Sequence, residues 1–146
     1  LEFRRVLFRS LTTDDAVIAS GATVTVSSNA SCLSVTFPTN NAAAATLIIN
    51  SGIVFTVTGT VTIPRAANPN RNVFNVGDGE ASVGAIAFTN GGGGVRHEVI
   101  INNGSLTVTG NVSQVGSTGS ASITFTGSGL LRLGGSFLSS TTFFPQ

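Results

Sequence analysis

Val99-Ile-Ile-Asn-Asn-Gly-Ser-Leu-Thr-Val108 is the stretch that decides the fold. An apolar run meets a turn at Gly104. The strand after it alternates, with Leu106 and Val108 facing one way and Thr107 the other, as a strand with one buried face requires. The same order recurs in Val17-Ile-Ala-Ser-Gly-Ala-Thr-Val-Thr-Val26, Leu47-Ile-Ile-Asn-Ser-Gly-Ile-Val-Phe-Thr-Val57, Val73-Phe-Asn-Val-Gly-Asp-Gly-Glu-Ala-Ser-Val83 and Ile123-Thr-Phe-Thr-Gly-Ser-Gly-Leu-Leu-Arg-Leu133. The anchoring glycines, Gly21, Gly52, Gly79, Gly104 and Gly129, are separated by 31, 27, 25 and 25 residues.

Aligned on these anchors, the inward pairs of the second strand read Val24/Val26, Phe55/Val57, Ala81/Val83, Leu106/Val108 and Leu131/Leu133. The residue facing out between them is Thr25, Thr56, Ser82, Thr107 and Arg132 in turn. A second small turn follows at Gly59, Gly84, Gly110 and Gly134-Gly135, after which apolar residues resume at Val61/Ile63, Ile86/Phe88, Val112 and Phe137. Three short strands per unit, separated by glycine or Asn-Gly turns, describe one coil of a parallel β-helix. Such a coil buries its inward residues only by stacking on its neighbours. The reading is an all-β, right-handed, single-chain β-solenoid of about five coils over residues 11–146, open at both ends. At these corners glycine is expected to supply positive φ, with asparagine second best. A β-sandwich also has many short strands, but it does not require one strand–Gly–strand–Gly order to return every 25 residues.

Insertions fall at one place in the unit, between the third strand and the next first strand. They are Pro38–Ala45, Pro64–Asn72, Thr89–His97 and Ser113–Ser120. In a solenoid they emerge along one edge, which makes that edge the candidate recognition surface. As plain connections they would be solvated.

Residues 1–10, Leu-Glu-Phe-Arg-Arg-Val-Leu-Phe-Arg-Ser, stand apart and resemble the codon-for-codon translation of a common short-read sequencing adapter. They hold three of the seven basic residues and one of the six acidic ones, so the remainder carries a formal charge of −1 instead of +1. No lysine is present, and Arg65, Arg71, Arg96 and Arg132 are scattered. Nucleic-acid binding needs clustered cations against phosphate and is excluded as a partner class. No apolar run approaches the roughly 18–20 residues of a membrane span. Charged residues make up only 9% of the chain, so regular β pairing must hide the apolar ones.

No constellation of catalytic, cofactor or metal-binding residues emerges. Gly77-Asp-Gly-Glu80 offers Asp78 and Glu80 beside glycines, too few ligands for a calcium loop. Asp14 and Asp15 are adjacent but lack a complementary set. Arg96, His97 and Glu98 form the one mixed titratable cluster, and it is expected at a solvated loop-to-strand junction. Cys32 has no partner cysteine in this sequence. It reads as a small, half-buried residue at a turn, or as one end of a bridge to a cysteine outside these residues. Asn29-Ala-Ser31, Asn103-Gly-Ser105 and Asn111-Val-Ser113 match the N-glycosylation pattern, a cheap match in a Ser/Asn-rich chain. Thr56-Val-Thr-Gly-Thr-Val-Thr62 suggests an ice-binding ladder, but the column Thr, Thr, Ser, Thr, Arg is better explained as an ordinary polar strand face.

Thr12-Thr-Asp-Asp-Ala-Val-Ile-Ala-Ser-Gly-Ala-Thr-Val-Thr-Val26, Ala30-Ser-Cys-Leu-Ser-Val-Thr-Phe37, Leu47-Ile-Ile-Asn-Ser-Gly52, Leu106-Thr-Val-Thr-Gly-Asn-Val112 and Phe125-Thr-Gly-Ser-Gly129 with Leu133-Gly-Gly-Ser-Phe137 resemble the β-helical repeat regions of large secreted surface proteins of gliding-type bacteroidetes. The resemblance spans nearly all of residues 11–146 and implies an extracellular, cell-surface stalk or adhesin-like spacer, with no functional residue carried over. The expectation is therefore a non-enzymatic structural module whose partners are its own adjacent coils and surface glycans. The alternative is a glycan-binding or polysaccharide-degrading β-helix whose active region lies outside this fragment. With Phe143 and Phe144 near its end and no polar cap in sight, the rod is also expected to be marginally stable or to associate end to end.

Overall fold

The computed structural model describes residues 12–89, 97–115 and 121–139. Among them are fourteen strands and no helix, and every strand pairing is parallel. The strands stack in three columns. The first column is β2 (Thr23–Val26), β5 (Ala45–Ile49), β7 (Asn72–Gly77), β9 (His97–Ile101) and β12 (Ala121–Phe125). The second is β3 (Ala30–Cys32), the first half of β6 (Val54–Pro64), the first half of β8 (Glu80–Thr89), β10 (Ser105–Val108) and β13 (Leu130–Leu133). The third runs from β1 (Asp15–Val17) through β4 (Ser34–Thr36) and the second halves of β6 and β8 to β11 (Val112–Gln114) and β14 (Phe137–Ser139). Five strands joined by four pairings in the first column make a β-solenoid of about four turns, slightly fewer than the five coils expected.

The second column has the register that the alternation predicts. Phe55, Ala81, Leu106 and Leu131 are cross-strand partners, as are Val57, Val83, Val108 and Leu133. Phe55, Val57, Ala81, Val83, Leu106 and Val108 are buried, whereas Leu131 and Leu133 in the last coil are only half-buried. The first coil is the exception. Val24 and Val26 pair with Leu47 and Ile49 and so belong to the first column, and Val24 is half-buried. Their expected places are taken by Ala30 and Cys32, which lie beside Phe55 and Val57. Val17 likewise ends a third-column strand, paired with Thr36. Gly21 therefore precedes the first column instead of following it, and this accounts for the long separation of 31 residues to Gly52.

The glycines at the corners serve two different needs. Positive φ occurs at Gly21, Gly52 and Gly77 (φ 74°, 71° and 55°), and the non-glycine case among the described residues is Asn40, in a loop. At Gly79, Gly104 and Gly129 no positive φ is found, contrary to expectation; these glycines and those of the second corner are there for space. β6 and β8 run continuously through that second corner, with a one-residue register shift between Val57 and Thr60. A Cβ on Gly84 would sit 2.5 Å from the carbonyl oxygens of Thr58 and Gly59; on Gly59 it would sit 2.7 Å from that of Leu33. On Gly135 it would meet the Gly110 carbonyl oxygen at 2.5 Å. The backbone passes so close to the coil below that no side chain fits. Gly110 N–H donates to the Gly84 carbonyl at 2.7 Å, and Gly135 N–H to the Gly110 carbonyl at 3.0 Å.

The two needs separate on substitution. At Gly52 nothing lies within 4 Å, so alanine costs only the left-handed backbone, about 1–2 kcal/mol. Asparagine, which tolerates that region, should recover part of it. At Gly84 alanine should cost about 1–3 kcal/mol or more through forced backbone movement, and asparagine should be worse than alanine. Denaturant midpoints of the four variants test this; asparagine rescue at Gly84 would refute the packing account.

Candidate functional site

The first two insertions, Pro38–Ala45 and Pro64–Asn72, leave the coils at one corner, between the third column and the next first column, and the other two fall at the same point in chain order. The first two are not the solvated connections expected. Asn40 N–H donates to the Arg65 carbonyl at 2.8 Å, Ala67 N–H to the Asn41 carbonyl at 3.1 Å, and Arg65 N–H to the Thr89 carbonyl at 3.0 Å. Asn70 Nδ2 donates to the Ala42 carbonyl at 2.7 Å, and Ala66 is fully buried. Loop therefore stacks on loop, and the coil-to-coil ladder continues outside the strands. The cis Asn68–Pro69 peptide lies in this segment. Residues 90–96, including Arg96, and residues 116–120 lie outside the described residues, as do Phe143 and Phe144.

Behind these loops the interior turns polar. Asn41, Asn72, His97 and Gln114 are all buried. Leaving the column for a loop points carbonyl oxygens into the core without a ladder partner, and a buried acceptor must be satisfied. Asn72 Nδ2 donates to the carbonyls of Pro38 (2.6 Å) and Pro64 (2.8 Å), while its Oδ1 accepts from Asn41 Nδ2 at 3.0 Å. One amide thus ties three successive coils. Asn41 Nδ2 also reaches the Ala43 carbonyl.

His97 is in β9, only 1% exposed, and not at a solvated junction. Its Nδ1 lies 3.1 Å from the Ile63 carbonyl oxygen, an acceptor, so Nδ1 carries the proton. Its ring is tilted by 60° against Phe88 with centroids 5.3 Å apart. Burial pushes the imidazole pKa below its ordinary value; the Arg65 charge acts in the same direction and the Ile63 bond against it.

Glu98 faces the opposite side of β9 and is also buried, at 8% exposure, again in contrast to the expected solvated edge. Its Oε2 pairs with Arg71 Nη1 at 3.2 Å and its Oε1 accepts from Thr124 Oγ1 at 2.7 Å. The structure therefore separates His97 from Glu98 across the strand and gives Glu98 partners from the loop below and the strand above. The sequence held a signal for this: residues about one coil apart in number are neighbours in space.

Asp78 and Asp15 are likewise bonded to neighbouring coils. Asp78 Oδ1 accepts from Asn102 Nδ2 (2.8 Å), Asn103 N–H (3.1 Å) and Asn103 Nδ2 (3.0 Å). Asn103 Oδ1 in turn accepts from Ser128 N–H at 3.3 Å and Ser128 Oγ at 3.2 Å. Asn29 Oδ1 takes the Val54 N–H and Asn111 Oδ1 the Ser136 N–H, each at 2.9 Å. All three glycosylation-pattern asparagines thus cap a backbone donor one coil away. Asp15 Oδ1 accepts from Ser34 Oγ at 2.6 Å; Asp14 and Glu80 are exposed. Among the described residues no three His, Cys, Asp or Glu side chains converge, and no helix is long and apolar enough to cross a membrane.

The polar column of the second face reads Ser31, Thr56, Ser82, Thr107 and Arg132, with Thr25 instead beside Ile48 in the first column. Cys32 is in β3, not at a turn, and is 1% exposed with a free thiol. Burial, and secondarily the Asp15 carboxylate, push its pKa up to about 11. No protein-family model, curated protein or solved structure matches the chain.

Two measurements check this description. The folded state prefers neutral His97 whereas the unfolded chain protonates near its ordinary pKa of about 6.5, so the unfolded state binds more protons below that value. Stability should therefore fall as pH drops from about 6.5 towards the lowered native pKa. His97→Gln should flatten that part of the profile in denaturant melts at successive pH values. The Cys32 thiol should resist aromatic disulfide reagents in the native state and react fully once the chain is denatured. Rapid native labelling would contradict its burial.

Proposed function

We propose that this chain is a structural stalk or adhesin-like repeat module of a secreted cell-surface protein, and not an enzyme. The observation that carries this reading is where the polar chemistry is spent. Asp78, Asn103, Asn111, Asn72, His97 and Glu98 each bond to a neighbouring coil, so the groups able to do chemistry hold the rod together. A spacer needs cohesion along its axis and no turnover. The resemblance to bacteroidetes surface repeats supports the extracellular setting.

A second reading, a glycan-binding β-helix or part of a polysaccharide-degrading one, is favoured by one feature. Arg71, with its side chain half exposed, and the nearly buried Glu98 stand together beside the loop-bearing corner. Such a pair could receive a sugar hydroxyl. Fold alone decides nothing here, since β-helices host enzymes as well as spacers.

Binding and turnover measured together on one glycan panel separate the readings. The stalk reading expects neither from this chain. Saturable binding lost in Arg71→Ala, without turnover, would establish an adhesive module. Turnover abolished by Glu98→Gln would overturn the non-enzymatic reading.

A further inference from the structure

Asn103-Gly104 is the one Asn-Gly step among the described residues. Such a step is prone to attack on itself, because glycine has no Cβ to hinder its amide nitrogen. That nitrogen can add to the Asn103 side-chain carbonyl carbon. The N–Cγ bond forms, the Cγ–Nδ2 bond breaks, and ammonia leaves with the amide proton. Water then opens the resulting succinimide to aspartate or isoaspartate. Asn103 is exposed and water reaches it, so protection has to come from conformation.

The stacked coils on both sides supply it. Gly104 N–H donates to the Gly77 carbonyl at 3.0 Å, and a Cβ on Gly104 would lie 2.0 Å from the Gly79 carbonyl oxygen, so this peptide is pressed against the coil below. The leaving nitrogen, Asn103 Nδ2, and the Asn103 N–H both donate to Asp78 Oδ1, at 3.0 and 3.1 Å. From the coil above, Ser128 N–H and Oγ donate to Asn103 Oδ1 at 3.3 and 3.2 Å. Swinging the side-chain carbonyl carbon onto the Gly104 nitrogen breaks bonds to both coils. The Asp78 carboxylate also disfavours the amide anion that the attack requires.

We propose that Asn103 is a latent modification site, a deamidation latch that the stacked coils hold closed and that reacts irreversibly when they part. Opening of the first corner frees the step to cyclise, and the product then blocks reclosure. A carboxylate at this position has no amide hydrogen for Asp78 and sets two negative charges where a 3.0 Å hydrogen bond stood. Isoaspartate adds a backbone atom at a corner where Gly104 has no slack. A transient parting of the coils is thereby made permanent.

The test is incubation of the 146-residue chain at mildly alkaline pH, folded and in denaturant, with peptide mapping and fragmentation to locate deamidation. In denaturant the other Asn-Gly step, Asn90-Gly91, reports that the conditions support the chemistry. Asn103 should react at least about tenfold more slowly in the folded chain than in the denatured one. Asp78→Ala should speed the reaction in the folded chain, and Asp78→Asn, which keeps an oxygen acceptor, should speed it less; melting curves identify the variants that fold. On return to native conditions, chains deamidated at Asn103 should be depleted from the refolded fraction. Equal rates at Asn103 in the folded and denatured chain would overturn the proposal. An unchanged rate in folded Asp78→Ala, or full refolding of the deamidated chains, would overturn it as well.

Discussion

The parallel backbone ladder between coils is the constraint on which everything else in this protein depends. Adjacent coils sit about 4.8 Å apart, and each corner must hold that distance while the chain turns. At the second corner the carbonyls of one coil lie under the α-carbons of the next, so Gly59, Gly84, Gly110 and Gly135 recur where any Cβ would collide with backbone. At the first corner the turn takes an N–H out of the ladder, and a side-chain oxygen one coil away restores its partner, as Asp78 does for Asn103 and Asn103 for Ser128. Glycine supplies closeness and asparagine supplies acceptors. Together they account for the recurring glycines and asparagines of these two corners.

The third corner solves a different problem. There the chain leaves the column for loops of unequal length, and the carbonyls of Pro38, Ile63 and Pro64 point inward. Buried acceptors left alone would cost about 1–3 kcal/mol each. Asn72 and His97 donate to them from the first column of later coils. The donors must be uncharged to be tolerated in an apolar core, which is why burial holds the imidazole in its neutral form. The interior polarity is thus a consequence of inserting loops into a solenoid.

Much of this was legible in the sequence, and the parts that were not have physical reasons. The second column could be read residue by residue because Phe55, Ala81, Leu106 and Leu131 alternate cleanly with polar neighbours and recur at a fixed period. The first coil was misread by one strand because a glycine after a short apolar run looks the same at every corner; Gly21 and Gly52 differ in position, not in local grammar. His97 and Glu98 read as a solvated pair because they adjoin a glycine-rich insertion, whereas strand alternation sends one into the core and packs the other against Arg71 and Thr124. Applying the coil period to polar residues as well as apolar ones pairs Asp78 with Asn103 and Asn103 with Ser128 directly. The glycine roles were not legible, since close approach and positive φ leave the same residue in the sequence.

This division of labour bears on how such a fold presents anything to a partner. At the second corner, and at Gly79, Gly104 and Gly129 of the first, the chain is pressed against the coil below, and a substitution there disturbs the ladder locally and its neighbours along the rod. At the third corner the interior donors hold the loop bases, so the intervening residues can differ in length and composition without altering the register of any column. Pro38–Ala45 and Pro64–Asn72 already differ in this way and still stack on one another through Asn40, Arg65 and Ala67. Variation therefore costs least along one edge, and that edge also carries the ion pair between Arg71 and Glu98, the one salt bridge among the described residues. All three corners therefore contribute to cohesion, and the loop-bearing one does so through backbone bonds between loops of different length and composition.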